Sequence, residues 1–220
     1  MNGANDANSR PWRLGILISG SGRTLKNLLD VIGRGELDAE IVAVVSSVEG
    51  VRGLEIAQEA GIPAFTVTRR DASGVEAYSR RVYERFAPYA PDLIIMAGFL
   101  RRVLVLPGWE GRILNIHPAL LPDAAEYAAG RGRYGDFVHE AVIAHGDTVS
   151  GATVHVVTDA YDEGPPLMRA EVPVLPEDTA ATLAARVFEA ECALYPEAIR
   201  RYLAAHPDLR RDGQGDTRSR

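Results

Sequence analysis

The chain has 220 residues, 46% of them apolar and 25% charged, which suits one globular α/β unit with a substantial core. A formal net charge of −6 argues against broad electrostatic binding to nucleic acid or an anionic membrane, though not against a small basic site. The longest uncharged apolar run is too short to cross a bilayer, the first residues lack a secretory core, and the lone Cys192 fits a reducing cytosol, so a cytoplasmic location is expected.

Residues 1–12 read as a loose tail. Leu14–Ser19 is an apolar strand that runs into Gly20-Ser21-Gly22, and Arg23–Ile32 then carries leucines at helical spacing. Glu40–Ser46 is a Val-rich strand, Gly53–Ala60 a helix and Ala64–Val67 a short strand. Gly74–Phe86 reads as an amphipathic helix, while Asp92–Ala97 and Arg112–Ile116 read as strands buried on both faces. Strands alternating with helices predict a doubly wound, mostly parallel, Rossmann-like sheet. After residue 150 the rhythm changes, with β-like segments at Ala152–Val157 and Pro166–Val174 and a long helix over Thr179–Tyr202. The reading is thus a single domain over residues 13–205, with a second mobile tail at 206–220. Cys192 falls in an Ala-rich helical pattern and reads as buried filler.

Ligands of such a sheet bind beyond the carboxyl ends of its strands. Gly20-Ser21-Gly22-Arg23-Thr24 joins a strand to a helix, and free N–H groups at a helix start suit a phosphate. Leu25 replaces the third glycine of a dinucleotide loop and no GK[ST] ending is present, so a monophosphate fits better. The plain alternative is a tight turn with no ligand. Asn115 and His117 are two apart at a strand end and share one face. Asp162 lies in the loop after Ala152–Val157; if that loop folds back, amide, imidazole and carboxylate converge. Such a group polarises a carbonyl and moves a proton without a metal, and no HExxH or Cys/His spacing suggests one. Taken singly, Asn115 reads as a strand-end cap and His117 as a satisfied surface imidazole.

Together these stretches resemble the glycinamide ribonucleotide formyltransferases. The matching runs are Leu17–Gly22, Met96–Arg101, Leu114–Pro122, Gly151–His155, Asp162–Pro165 and Glu191–Pro196, within a likeness from about residue 14 to 203. The resemblance implies the formyltransferase fold, with 10-formyltetrahydrofolate as cosubstrate and the amine of glycinamide ribonucleotide as acceptor, in a monomer or homodimer. It implies that Asn115 and His117 stabilise an oxyanion, and that Asp162 pairs with His117, keeps it protonated, and takes the amine proton directly or through water. It places Gly20, Gly22, Arg23 and Thr24 at the ribonucleotide phosphate and Glu191 at the glycyl amine. Leu100, Arg101, Arg102 and Val103 would contact the folate ring from one side, and Thr158, Asp159, Ala160, Tyr161 and Asp162 from the other. Without the resemblance, Glu191 is an exposed helix carboxylate and Arg101 and Arg102 are surface charges.

Departures from the family pattern are visible. After Pro122 the family runs through an aromatic, Pro and Gly, then a His-containing loop, whereas residues 123–135 are Ala- and Gly-rich. Mobility is expected there, with Arg131 or Arg133 as candidate phosphate partners against a default of solvated loop arginines. Val75 stands where some members carry a folate-contacting Arg, leaving the glutamate tail to Arg69, Arg70 or water. His139 reads as a surface helix residue and His155 as a hydrogen-bonded structural one. Two relatives compete: a hydrolase of the same folate, which typically has an extra N-terminal domain, and a formylase of initiator tRNA, with an added C-terminal one. The residues before Leu14 leave no room for the first, and the acidic chain disfavours the second. An inactive folate- or nucleotide-binding relative is the non-enzymatic alternative.

Overall fold

The computed structural model describes residues 10–130 and 135–211. Seven strands form one sheet: β1 (Trp12–Ile18), β2 (Ala39–Ser46), β3 (Ala64–Thr66), β4 (Leu93–Met96), β5 (Ile113–His117), β6 (Val149–Val156) and β7 (Pro166–Pro173). Their spatial order is β3-β2-β1-β4-β5-β6-β7. β1 to β5 pair in parallel and β6 and β7 are antiparallel. The helices are α1 (Arg23–Gly33), α2 (Arg52–Glu59), α3 (Val75–Phe86), α4 (Ala125–Ala128), α5 (Asp136–His145) and α6 (Ala180–Ala205). Among them none is long and apolar enough to cross a membrane.

Strand periodicity builds two cores, one on each side of the sheet. Leu14, Ile16 and Ile18 of β1 pack with Leu25 and Leu28 of α1 and with Tyr195 and Ile199 of α6, all fully buried. Leu17 points the other way, toward Tyr78, Val82 and Phe86 of α3. Each large apolar side chain removed from water here contributes about 1.5–3 kcal/mol. Gly15 marks a close helix–strand approach, since a Cβ there would lie 2.8 Å from the Phe86 ring.

The strand order reverses between β1 and β4, so the loops after their carboxyl ends diverge and leave a crevice. Buried hydroxyls fix its floor: Ser19 Oγ and Ser47 Oγ are 2.6 Å apart, and the Leu100 amide donates to Ser19 Oγ at 2.8 Å. Tyr195 Oη donates to the carbonyls of Met96 and Leu114, tying α6 to β4 and β5.

Packed residues extend beyond the domain boundaries read from sequence. Arg10 pairs with buried Asp92 through contacts of 2.7 and 2.8 Å, and β1 begins at Trp12, so residues 10–12 are not loose tail. At the other end α6 runs to Ala205, Leu209 is buried, and the Arg211 amide donates to Asp92 Oδ1 at 2.6 Å, so 206–211 is packed rather than mobile. Residues 1–9 and 212–220 lie outside the described residues. Two further elements are α4, within the Ala- and Gly-rich stretch that conceals any hydrophobic period, and α5, which follows it.

Candidate active site

The strand pattern of β5 sends Leu114 and Ile116 into the core and leaves Asn115 and His117 on the other face. In the antiparallel register Asn115 lies opposite His155 of β6, and His117 lies opposite Thr153. Directly opposed side chains meet. Asn115 Nδ2 and His155 Nε2 are 3.1 Å apart, and His155 Nδ1 is 3.2 Å from the Val156 carbonyl. That carbonyl requires a proton on Nδ1, which leaves Nε2 to accept from the Asn115 amide. Burial pushes the His155 pKa down, which favours this neutral tautomer. Asn115 thus holds one amide proton in place and has the other for a ligand. His155 is therefore hydrogen-bonded, as read from sequence, but to a site residue.

His117 is buried, not a surface imidazole. Its Nε2 is 2.7 Å from the Ala128 carbonyl and serves there as a donor. Its Nδ1 faces Asp162 Oδ1 at 3.8 Å, and His155 Nε2 is 3.7 Å from the same oxygen. The other carboxylate oxygen of Asp162 accepts from the Gly130 amide at 3.0 Å. Asp162 has φ 55, a left-handed conformation that Asp tolerates better than most residues. The loop beyond it returns so tightly that a Cβ on Gly164 would sit 1.6 Å from the Val156 carbonyl oxygen. Glycine at 164 is what lets the loop lay Asp162 over the end of β5.

Across the crevice, Gly22 has φ 72 and a Cβ there would lie 2.5 Å from the Gly53 backbone. The amides that open α1 have no side-chain cap, and residues Gly20 to Thr24 line the cavity. The Arg23 guanidinium stacks 3.9 Å above the Phe188 ring of α6. One turn further along α6, Glu191 reaches the cavity, where burial raises its pKa to about 7 against the pull of Arg23. It is half-buried rather than an exposed carboxylate.

These groups share one cavity of about 790 Å³. Asn115, His117, Asp162 and Glu191 line it, as do Leu100, Arg101, Arg102, Val103 and Tyr161. Thr158, Asp159 and Ala160 do not. Asp159 instead braces the opposite segment: its carbonyl accepts from Arg102 at 2.8 Å and its Oδ1 accepts from the Val105 amide at 3.0 Å. Arg69 and Val75 also reach the wall, and Arg70 does not. His139 is on the wall and 3% exposed, contrary to its reading as a surface residue, because α5 packs inward through Val138 and Val142. Cys192 is half-buried and off the wall. Arg131 and Arg133 lie outside the described residues.

The second amide N–H of Asn115, the Nδ1 edge of the His117 imidazole facing a carboxylate, and an uncapped helix start around the same cavity suit acyl-group chemistry on a phosphorylated amine. Comparison with known proteins agrees. The phosphoribosylglycinamide formyltransferase of Escherichia coli K12 is 36% identical over 186 residues, 84% of each chain. A trifunctional purine biosynthetic protein of Drosophila melanogaster is 36% identical over 195 residues, which are 86% of this chain but only 14% of that much longer protein. The crystal structure of glycinamide ribonucleotide transformylase 1 from Symbiobacterium toebii superposes with a TM-score of 0.80, at 37% identity over 92% of both chains. The formyl transferase family model matches residues 12–199, and the chain belongs to that family.

Proposed function

We propose that this protein transfers the formyl group of 10-formyltetrahydrofolate to the primary amine of glycinamide ribonucleotide, a step of de novo purine biosynthesis. The products are N-formylglycinamide ribonucleotide and tetrahydrofolate. The observation that carries the reading is the meeting of Asn115, His117 and Asp162 in the cavity that also holds the start of α1 and Glu191.

The amine lone pair forms a bond to the formyl carbon, and the carbonyl π electrons move onto oxygen. In this reading the second amide proton of Asn115 and a proton carried on His117 Nδ1 bond that oxyanion. Donors of this kind are worth about 10²–10³ in rate each. The amine loses a proton to Asp162, directly or through one water. Collapse of the intermediate breaks the bond to N10 of the folate, which takes up the proton that Asp162 received, directly or through the same water. The amides of α1 and Arg23 hold the phosphate, and Glu191 holds the amine end of the acceptor. Leu100 to Val103 and Tyr161 flank the folate ring.

Following formylfolate with and without glycinamide ribonucleotide tests the reading. Loss that depends on the amine supports it. Release of formate at the same rate without amine would make the protein a hydrolase, and no turnover at all would leave only binding.

A further inference from the structure

The two catalytic side chains borrow their orientation from one short stretch of backbone. His117 Nε2 meets the carbonyl of Ala128, and Asp162 Oδ2 meets the amide of Gly130. Ala128 ends α4 and Gly130 follows it by two residues; α4 itself is four residues with no side-chain cap and only alanines around Glu126 and Tyr127. So short and uncapped a helix has little of its own to hold it. Tyr127 does not line the large cavity. Its hydroxyl donates a short bond to Asp147 Oδ2, and its ring stacks on His145 with centroids 4.0 Å apart and planes 12° off parallel. His145 Nδ1 lies 2.8 Å from the other oxygen of Asp147. Burial first, and then the bond to Asp147, push the phenol pKa up to about 12.

We infer that Tyr127, Asp147 and His145 form a latch outside the cavity, which fixes α4 so that Ala128 and Gly130 present His117 and Asp162 to each other. Tyr127 is then a positioning residue for formyl transfer, acting through backbone and touching no substrate. The argument runs on adjacency: Tyr127 precedes Ala128 by one residue, so any slip of the ring is passed directly to the carbonyl that holds His117. With His117 Nδ1 and Asp162 Oδ1 already 3.8 Å apart, a shift of about 1 Å separates them, and misplacement on that scale costs about 10²-fold in rate. The inference rests on the proposed reaction, but it makes one claim that needs no substrate, namely that the latch holds the backbone of 124–130.

Three variants test it: Tyr127→Phe, which keeps the stacked ring, Asp147→Ala, which removes the acceptor, and the pair together. Tyr202→Phe is the control, since it loses one hydroxyl bond, to Gly111, at the far end of β5. We expect kcat to fall about tenfold in each single variant with both KM values within about twofold, and the double variant to fall no further, as befits one device. Asp147→Asn keeps an acceptor oxygen and should retain kcat within about threefold. Amide hydrogen exchange over 124–130 should quicken in Tyr127→Phe and not in Tyr202→Phe. The inference is overturned if Tyr127→Phe turns over within about twofold of the wild type, if the two losses multiply, or if exchange over 124–130 is unchanged. Absence of wild-type turnover would instead overturn the proposed function, leaving the exchange result to decide the latch.

Discussion

Asp162 gives one carboxylate oxygen to the Gly130 amide and turns the other toward two imidazoles at 3.7–3.8 Å. Its role in the proposed reaction is to collect a proton as the carbon–nitrogen bond forms, so its removal should be felt in the transition state. We expect Asp162→Asn to cut kcat by at least about 10²-fold while the KM for formylfolate stays within about threefold; equal losses in both would count against the assignment. Glu191 offers a pH test. Its raised pKa, about 7, means that the carboxylate is lost as the pH falls through neutrality. The apparent KM for the acceptor should therefore rise below pH 7, and Glu191→Gln should raise it at pH 8 and flatten the dependence. Arg23→Ala should mainly raise that same KM, about tenfold, with kcat little changed. That Asn115 and His117 share a face was legible from strand parity, whereas the approach of Asp162 depended on the loop folding back and was carried by the family resemblance. The hydrogen bond from Asn115 to His155 was not legible, since it depends on the β5–β6 register, which neither strand specifies alone.

Local sequence codes are strong in the elements flanking the cavity. Thr179 caps α6: its Oγ1 accepts from the Thr182 amide at 3.3 Å, and Thr182 Oγ1 accepts from the Thr179 amide at 3.0 Å. Thr179→Ala should cost about 1 kcal/mol in chemical denaturation, with kcat unchanged. The loop that carries Asp162 is built differently. Gly164→Ala places a methyl against the Val156 carbonyl and must displace the loop, so turnover should fall more steeply than thermal stability. The βα units of the first half were readable because apolar periods of two and about 3.6 alternate there with glycine turns. α4 was missed because its alanines carry too little hydrophobic contrast to mark a face, and α5, where His139 was read as helical, was given neither bounds nor a buried side. His139 went with them: its burial follows from how α5 packs, which its own neighbours in sequence do not reveal.

On the scale of the whole molecule, a clasp on Asp92 closes the sheet at the end away from the cavity. This carboxylate is fully buried and accepts from Arg10 and from the amides of Arg13 and Arg211. Burial alone would raise its pKa, but these donors outweigh it and hold the group below its usual value. A depressed carboxylate stabilises the fold fully above its unfolded pKa, about 3.9, and this contribution is lost as the pH falls through the folded value. Asp92→Asn should cost about 3 kcal/mol at pH 7, with the difference from wild type shrinking in acid. Nothing in the sequence near residue 10 or 211 announces this meeting, because it spans almost the entire chain.

With Arg10 Nη2 donating to the Arg211 carbonyl at 2.7 Å, the first and last described residues are neighbours. A few glycines and serines bridging 211 to 10 should therefore make a circular chain, and cutting it in the exposed turn at Gly61 should give a permutant that still melts cooperatively and keeps its turnover.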